Sequence, residues 1–297
     1  MKVIDIHTHG ISGYDTRATA ADELMEIAQI HGTCGVSEIV LTLYPATIKI
    51  MRDNMDIVRK AMEKQKNILL PLRKSAIGSG IRPAQIIGLH LEGPFLNPAQ
   101  CGALQAASFI APDENNLQEL VDGFEDIIKI ITLAPELRGA IELIKKISDT
   151  GIIVSMGHSD ATYAEAENGF HAGAKGITHI FNAMRGFHHR EPGIAGFGLL
   201  NRDIFIEVIA DLHHLDARTL ELIFKVKHPD RILLVSDTVK ETREDSAGLS
   251  ITDTSGRLLG GSVTVTEAAG RLIQMGYDRN VIMEYITKNP EQYLTGK

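Results

Sequence analysis

Six residues of chemically useful type lie far apart in the chain: His7, His9, Glu92, His158, His179 and Asp237. Each ends or follows a short apolar run, in IDIHTHG, GLHLEGPF, VSMGHSD, GITHIFNAM and ILLVSDT. Neutral imidazole nitrogens and carboxylate oxygens are donors that suit zinc, iron, manganese and cobalt alike. His7 and His9 stand two apart, and strand alternation turns both rings to the same side. Glu92 shares a face with His90, while Leu89 and Leu91 take the other. A carboxylate buried beneath a cleft is costly unless a cation or hydrogen bonds compensate it. No basic neighbour is offered locally, so Glu92 reads as a metal ligand. Together the six groups supply donors for one or two divalent cations, zinc first, with Glu92 placed to bridge them. Such a cation lowers the pKa of bound water to roughly 7, and Asp237, bonded to that water, would shuttle the proton.

Ligands so dispersed can meet only where several strand ends share one face. Of the 12 histidines, all but His31, His171 and His228 fall in or just after an expected strand. The apolar runs predict strands over 3–9, 37–43, 86–92, 127–133, 152–158, 176–182, 204–211 and 231–237. Amphipathic stretches over 20–31, 49–65, 138–150, 163–172 and 216–225 are long enough for crossover helices. Strands alternating with helices imply a parallel sheet. Eight such units in 297 residues predict an α/β fold, a (β/α)8 TIM-type barrel of the metal-dependent hydrolase kind, forming a single domain over 1–297 with its site at the carboxyl ends of the strands. Polar loop material over 241–262 is expected near that mouth, with 248–264 able to form a hairpin. Closing helices are expected over 265–275 and 279–288, with Asn289-Pro290 as the stop.

The composition excludes several function classes. A net charge of -8 and a sequence pI near 5.8 give no general attraction to nucleic acid or to an anionic membrane. The absence of tryptophan removes the best stacking platform for single strands. No apolar stretch approaches the roughly 20 residues a bilayer requires, and no basic-flanked leader is seen, which predicts a cytoplasmic location. Cys34 and Cys101 stand without CxxC spacing, as two reduced thiols.

Taken in order, DIHTHG, GLHLEGPFLNP, MGHSDATY, THIFNAM, HHREPGIAG and LVSDT resemble the N-acetylglucosamine-6-phosphate deacetylases of the amidohydrolase superfamily over most of the chain. The resemblance implies hydrolysis of the N-acetyl group of an amino sugar phosphate, with metal hydroxide as nucleophile and Asp237 as acid and base. It further implies that Asn182 and Ala183 of FNAM, Arg190 of REPG and His214 of ADLHHLD bind the substrate phosphate. The arginine would reach in from a second subunit, making a homodimer.

Three departures accompany the resemblance. Where the family follows GPFLNP with KGAH, whose histidine polarises the scissile carbonyl, this chain reads Cys101-Gly102-Ala103-Leu104. A second cation on His7 and His9, or a hydrogen bond from Gln105, could take over. Leu212 stands where glycine is common, and the segments forming the family's accessory β-sandwich have no counterpart. Two other readings use the same ligands: a TatD-type metal-dependent deoxyribonuclease, and a non-catalytic sugar-phosphate binding protein. The acidic balance and the FNAM and REPG motifs weigh against the nuclease, and the complete ligand set weighs against the binding protein.

Overall fold

The computed structural model describes residues 2–74, 82–243 and 249–296, with side chains of 68–74 also outside the description. Eight parallel strands form one sheet in which every neighbour is the next in sequence. They are β1 (Ile4–Thr8), β2 (Glu38–Leu43), β3 (Gln85–Glu92), β4 (Ile128–Leu133), β5 (Ile153–Met156), β6 (Gly176–Ile177), β7 (Phe205–Ile209) and β8 (Ile232–Val235). The two ends of this order meet. Thr8 bridges Thr238 in parallel, and Asp237 N–H donates to His7 O at 2.9 Å, so the sheet closes into the expected barrel.

Between the strands run α1 (Ala21–Thr33), α2 (Ile48–Lys74), α3 (Glu114–Val121), α4 (Ala140–Asp149), α5 (Tyr163–His171), α6 (Gly193–Leu200) and α7 (Ala217–Val226). Leu24 and Ile27 of α1, Met51 and Met55 of α2, Leu143 and Ile144 of α4 and Leu220 and Ile223 of α7 are buried in the layer between helices and strands. Leu89 and Leu91 of β3 belong to that outer layer, so the alternation read from GLHLEGPF holds. A second apolar cluster fills the barrel itself, from Ile4 and Ile6 through Val40, Ile130 and Ile153 to Leu233 and Val235, with Tyr293 packed among them.

The sequence-based boundaries need two corrections. The strand expected over 176–182 ends at Ile177, because His179, Phe181 and Ala183 all have positive φ and cannot continue a pleated strand. The closing segment contains α8 (Val265–Gln274), α9 (Arg279–Glu284) and α10 (Lys288–Thr295), so Asn289-Pro290 lies inside a helix. Proline is tolerated there because the first-turn N–H groups of a helix have no intrahelical acceptor. Asn289 Nδ2 donates to Pro229 O and Ile232 O, both at 2.8 Å, and ties α10 to the entry of β8.

The expected hairpin forms from Ile251–Thr252 and Leu258–Gly260; 244–248 lie outside the described residues. It is fastened to the carboxyl end of β8, where Gly261 N–H donates to Asp237 O at 2.7 Å. A Cβ on Gly261 would lie 1.8 Å from Ser236 O, so only glycine permits this approach. Among the described residues no helix is long and apolar enough to cross a membrane.

Candidate metal centre and substrate cleft

The six dispersed groups meet at the carboxyl mouth. Glu92 is the hub: its Oε1 lies 3.0 Å from His158 Nε2 and 3.0 Å from His179 Nε2, and its Oε2 lies 3.1 Å from His9 Nε2. His7 Nε2 stands 3.3 Å from His9 Nε2, and Asp237 Oδ1 stands 3.4 Å from His7 Nε2 and 3.5 Å from His9 Nε2. Two groupings with metal-ligand spacing result, His7–His9–Asp237 and Glu92–His158–His179. His158, His179 and Asp237 leave their strands with φ of 47°, 30° and 50°. That left-handed backbone is uncommon for such residues and is a form of strain that clusters at functional sites.

The donor chemistry of the cluster fits a divalent cation. His158 Nδ1 lies 2.9 Å from the Gln100 carbonyl oxygen, which can only accept, so Nδ1 carries a proton. Nε2 faces the Glu92 carboxylate, and in a ring without a second proton that nitrogen would present its lone pair to it. Lone pair and carboxylate repel unless positive charge lies between them, and a ring held by a carbonyl through its other nitrogen is a common arrangement for a metal-ligating histidine. Burial would raise the Glu92 carboxyl, but the charge and hydrogen bond of His158, with those of His179 and His9, hold it well below the usual carboxylate range. Burial opposes charge on His179 and His9, yet Glu92 lifts both, His179 to about 9. Positive charge is therefore called for here, from protons on these rings or from a metal. His7 is pushed by burial to about 4 and offers a neutral ring.

A cleft of about 560 Å³ opens over this cluster, lined among others by Tyr44, Leu104, Asn182, Ala183, His214 and Asp237. His214 is aimed by Asp211, whose Oδ2 meets its Nδ1 at 2.9 Å and whose Oδ1 accepts the N–H groups of His213 and His214 at 2.9 Å each.

No family model matches the chain. Over 240 residues it is 32% identical to the N-acetylglucosamine-6-phosphate deacetylase of Vibrio furnissii, covering 81% of this chain and 56% of that protein. It is also 32% identical over 237 residues to the N-acetylgalactosamine-6-phosphate deacetylase of Escherichia coli O157:H7, covering 80% of this chain and 59% of that one. A mutant of the Mycobacterium smegmatis N-acetyl-D-glucosamine-6-phosphate deacetylase, solved in complex with N-acetyl-D-glucosamine-6-phosphate, superposes with a TM-score of 0.80 at 25% identity, over 99% of this chain and 77% of that one. By sequence and fold, this chain is homologous to the N-acetylglucosamine-6-phosphate deacetylases. It spans little more than half the length of the two curated deacetylases.

Of the residues that the deacetylase resemblance put at the substrate, Asn182, Ala183 and His214 line the cleft. Arg190 does not; it is exposed on its own chain. Glu191 accepts from the N–H groups of Tyr163 and Gly193, leaving no pairing with its neighbour Arg190 among the described residues. Leu104 lines the cleft, whereas Gln105 is exposed and lies outside the lining. The loops carrying these motifs are joined, since Asn97 N–H donates to His158 O at 2.9 Å and Asn97 Nδ2 to Glu136 at 2.9 Å.

Sequence reasoning missed Glu207. It is buried in β7, and its Oε2 lies 3.0 Å from His7 Nδ1. An acid inside the apolar run IFIEVIA was the available signal, because an unpartnered carboxylate does not persist there. Asp211 was read only as a strand end, although its position three before His214 allows the pairing observed.

Proposed function

We propose that this barrel, acting as one unit over 1–297, is a metal-dependent amidohydrolase that hydrolyses the N-acetyl amide of an amino sugar phosphate, N-acetylglucosamine 6-phosphate first. The observation that carries the reading is the convergence of His7, His9, Glu92, His158, His179 and Asp237 beneath one cleft, in a chain whose relatives are sugar-phosphate deacetylases. His7, His9, Glu92, His158, His179 and Asp237 would hold one or two divalent ions, zinc first, with iron, manganese or cobalt also suited. Such a cation supplies Lewis acidity to the cleft.

The chain's own residues do the rest. Asp237 Oδ1, beside His7 and His9, takes a proton from the attacking water. As the amide C–N bond breaks, Asp237 returns that proton to the departing nitrogen, so acetate and the free amine leave together. Asn182, Ala183 and His214 orient the sugar phosphate on the β6–β7 side of the cleft. Arg190, exposed and off its own cleft, would serve the cleft of a second copy, which makes the working unit a homodimer. A cytoplasmic site of action goes with this substrate, since a charged sugar phosphate does not cross a bilayer unaided.

Acetate release from N-acetylglucosamine 6-phosphate by the zinc-loaded protein tests this, with the galactosamine epimer, both unphosphorylated sugars and single-stranded DNA in parallel. Release that needs the 6-phosphate and collapses in Asp237→Asn supports the reading. Degradation of DNA without acetate from any sugar overturns it in favour of a nuclease, and tight sugar-phosphate binding without turnover would make the protein a receptor.

A further inference from the structure

Amide hydrolysis places negative charge on the carbonyl oxygen as water adds, and a fixed hydrogen-bond donor there speeds the step. On the cleft wall the chain places Gly102, Ala103 and Leu104, whose side chains offer no such donor. The lining donors outside the ligand set are Arg17, Tyr44, Asn182, His214, Lys240 and Arg257.

Most of them are committed elsewhere. Arg257 is engaged at all three nitrogens, with Nη1 donating to Gly102 O at 3.0 Å and Nε and Nη2 at 3.2 and 3.1 Å from Asp253 Oδ2. Arg17 spends Nε and Nη2 on Asp15. Lys240 is about half exposed, 3.9 Å from Glu241. Asn182 Nδ2 donates to His179 O and Ile180 O, and His214 is held by Asp211 on the opposite, β7 side.

Tyr44 is different. It follows β2, which lies between the strand bearing His7 and His9 and the strand bearing Glu92. Its ring stacks on His9, with centroids 4.0 Å apart and planes 20° from parallel, and the Arg17 guanidinium carbon lies 4.3 Å from the same ring centre. The ring is thus held between His9 and Arg17, while among the described residues no hydrogen bond engages its hydroxyl. A clamped ring carrying an uncommitted donor at the edge of the ligand cluster is pre-organised for a partner that arrives with the substrate.

We propose that the Tyr44 hydroxyl donates a hydrogen bond to the scissile carbonyl oxygen and strengthens it as the C=O bond becomes a C–O⁻ bond in the tetrahedral intermediate. When the C–N bond breaks and the carbonyl re-forms, the hydrogen bond weakens again, and Tyr44 keeps its proton throughout. This assignment rests on the amidohydrolase reading.

Tyr44→Phe keeps the stacked ring and removes only the donor. The expected result is a fall in kcat on the order of 10²-fold, the usual cost of one such donor, with KM within about threefold and zinc content per chain unchanged. Binding of the methylphosphonamidate analogue of the substrate, which mimics the tetrahedral oxygen, should weaken by a similar factor, while binding of glucosamine 6-phosphate does not change. Unaltered kcat and analogue binding in Tyr44→Phe would overturn the assignment, and a loss of zinc matching the loss of rate would reduce Tyr44 to a support for His9. Absence of turnover of every sugar amide by the parent protein would instead fail the functional reading, and this assignment with it.

Discussion

Two buried charged regions of this molecule are built on opposite principles. On the flank, Lys227 is buried, and its Nζ donates to Gly198 O at 2.8 Å and Asn201 O at 2.7 Å. Those carbonyls belong to the last turns of α6, so the lysine closes a helix end that would otherwise leave acceptors unpaired. At the mouth, Glu92 gathers three imidazoles within 3.1 Å, rings that are also metal-ligand types. The lysine's partners are supplied by its own fold, whereas the ligand cluster is of a kind that could hold a metal ion. Pairing to backbone of the same fold marks a structural group, and convergent ligand-type side chains beneath a cleft mark a functional one.

The comparison breaks most sharply at its hub. Glu92→Gln should lower acetate release by well over the ~10²-fold typical of groups standing behind metal ligands, together with bound zinc measured by elemental analysis. Glu207→Gln, which disturbs the support of His7 and the backbone bond from His179, should cost roughly 10- to 100-fold in metal affinity or turnover; a larger loss than that of Glu92→Gln would reverse the ranking of hub and support.

Lys227→Met should spare activity and lower unfolding free energy by about 1–3 kcal/mol, because two buried carbonyls lose their donor. Burial pushes the Lys227 ammonium down to about 7 from an ordinary 10.5. Between those values the unfolded chain carries the extra proton, so the native state gains stability as the pH rises. Denaturant titrations should therefore show the deficit of Lys227→Met widening from pH 7 toward pH 10. A deficit that shrinks over that interval would contradict the account of this lysine.

The smallest effect is expected at Leu212, which has φ of 69°. A left-handed backbone costs a non-glycine residue about 1–2 kcal/mol, partly offset by the entropy that glycine loses on folding. Leu212→Gly should raise stability by roughly 0.5 kcal/mol, seen as a slightly higher Tm; a lower Tm would mean that the leucine side chain packs to better effect than its exposure suggests.

Much of this was legible in the sequence because apolar runs ending in histidine or carboxylate carry both the strand and the ligand in one signal. All eight strands lie where that pattern put them, and the six ligand-type groups meet. Helix α6, GIAGFGLL, was not legible, since it is buried along nearly its whole length and shows no polar face to give a period. The early end of β6 depends on left-handed turns at His179, Phe181 and Ala183, for which none of these residue types is a signal. Glu207 and Tyr44 take their meaning from rings elsewhere in the chain, His7 and His9, and contacts of that kind are set by barrel closure. Proline at Pro290 misled for a related reason: its cost depends on its position in the helix turn, which composition does not give.

The central claim is that the mouth is completed by a metal, and zinc titration of metal-stripped protein tests it most directly, read by calorimetry and by thermal unfolding, with Glu92→Gln alongside. The account predicts saturable binding at one or two ions per chain and a Tm that rises with zinc in the parent, with both effects lost or strongly weakened in Glu92→Gln. Equal zinc binding by the two proteins, or none by the parent, would contradict it.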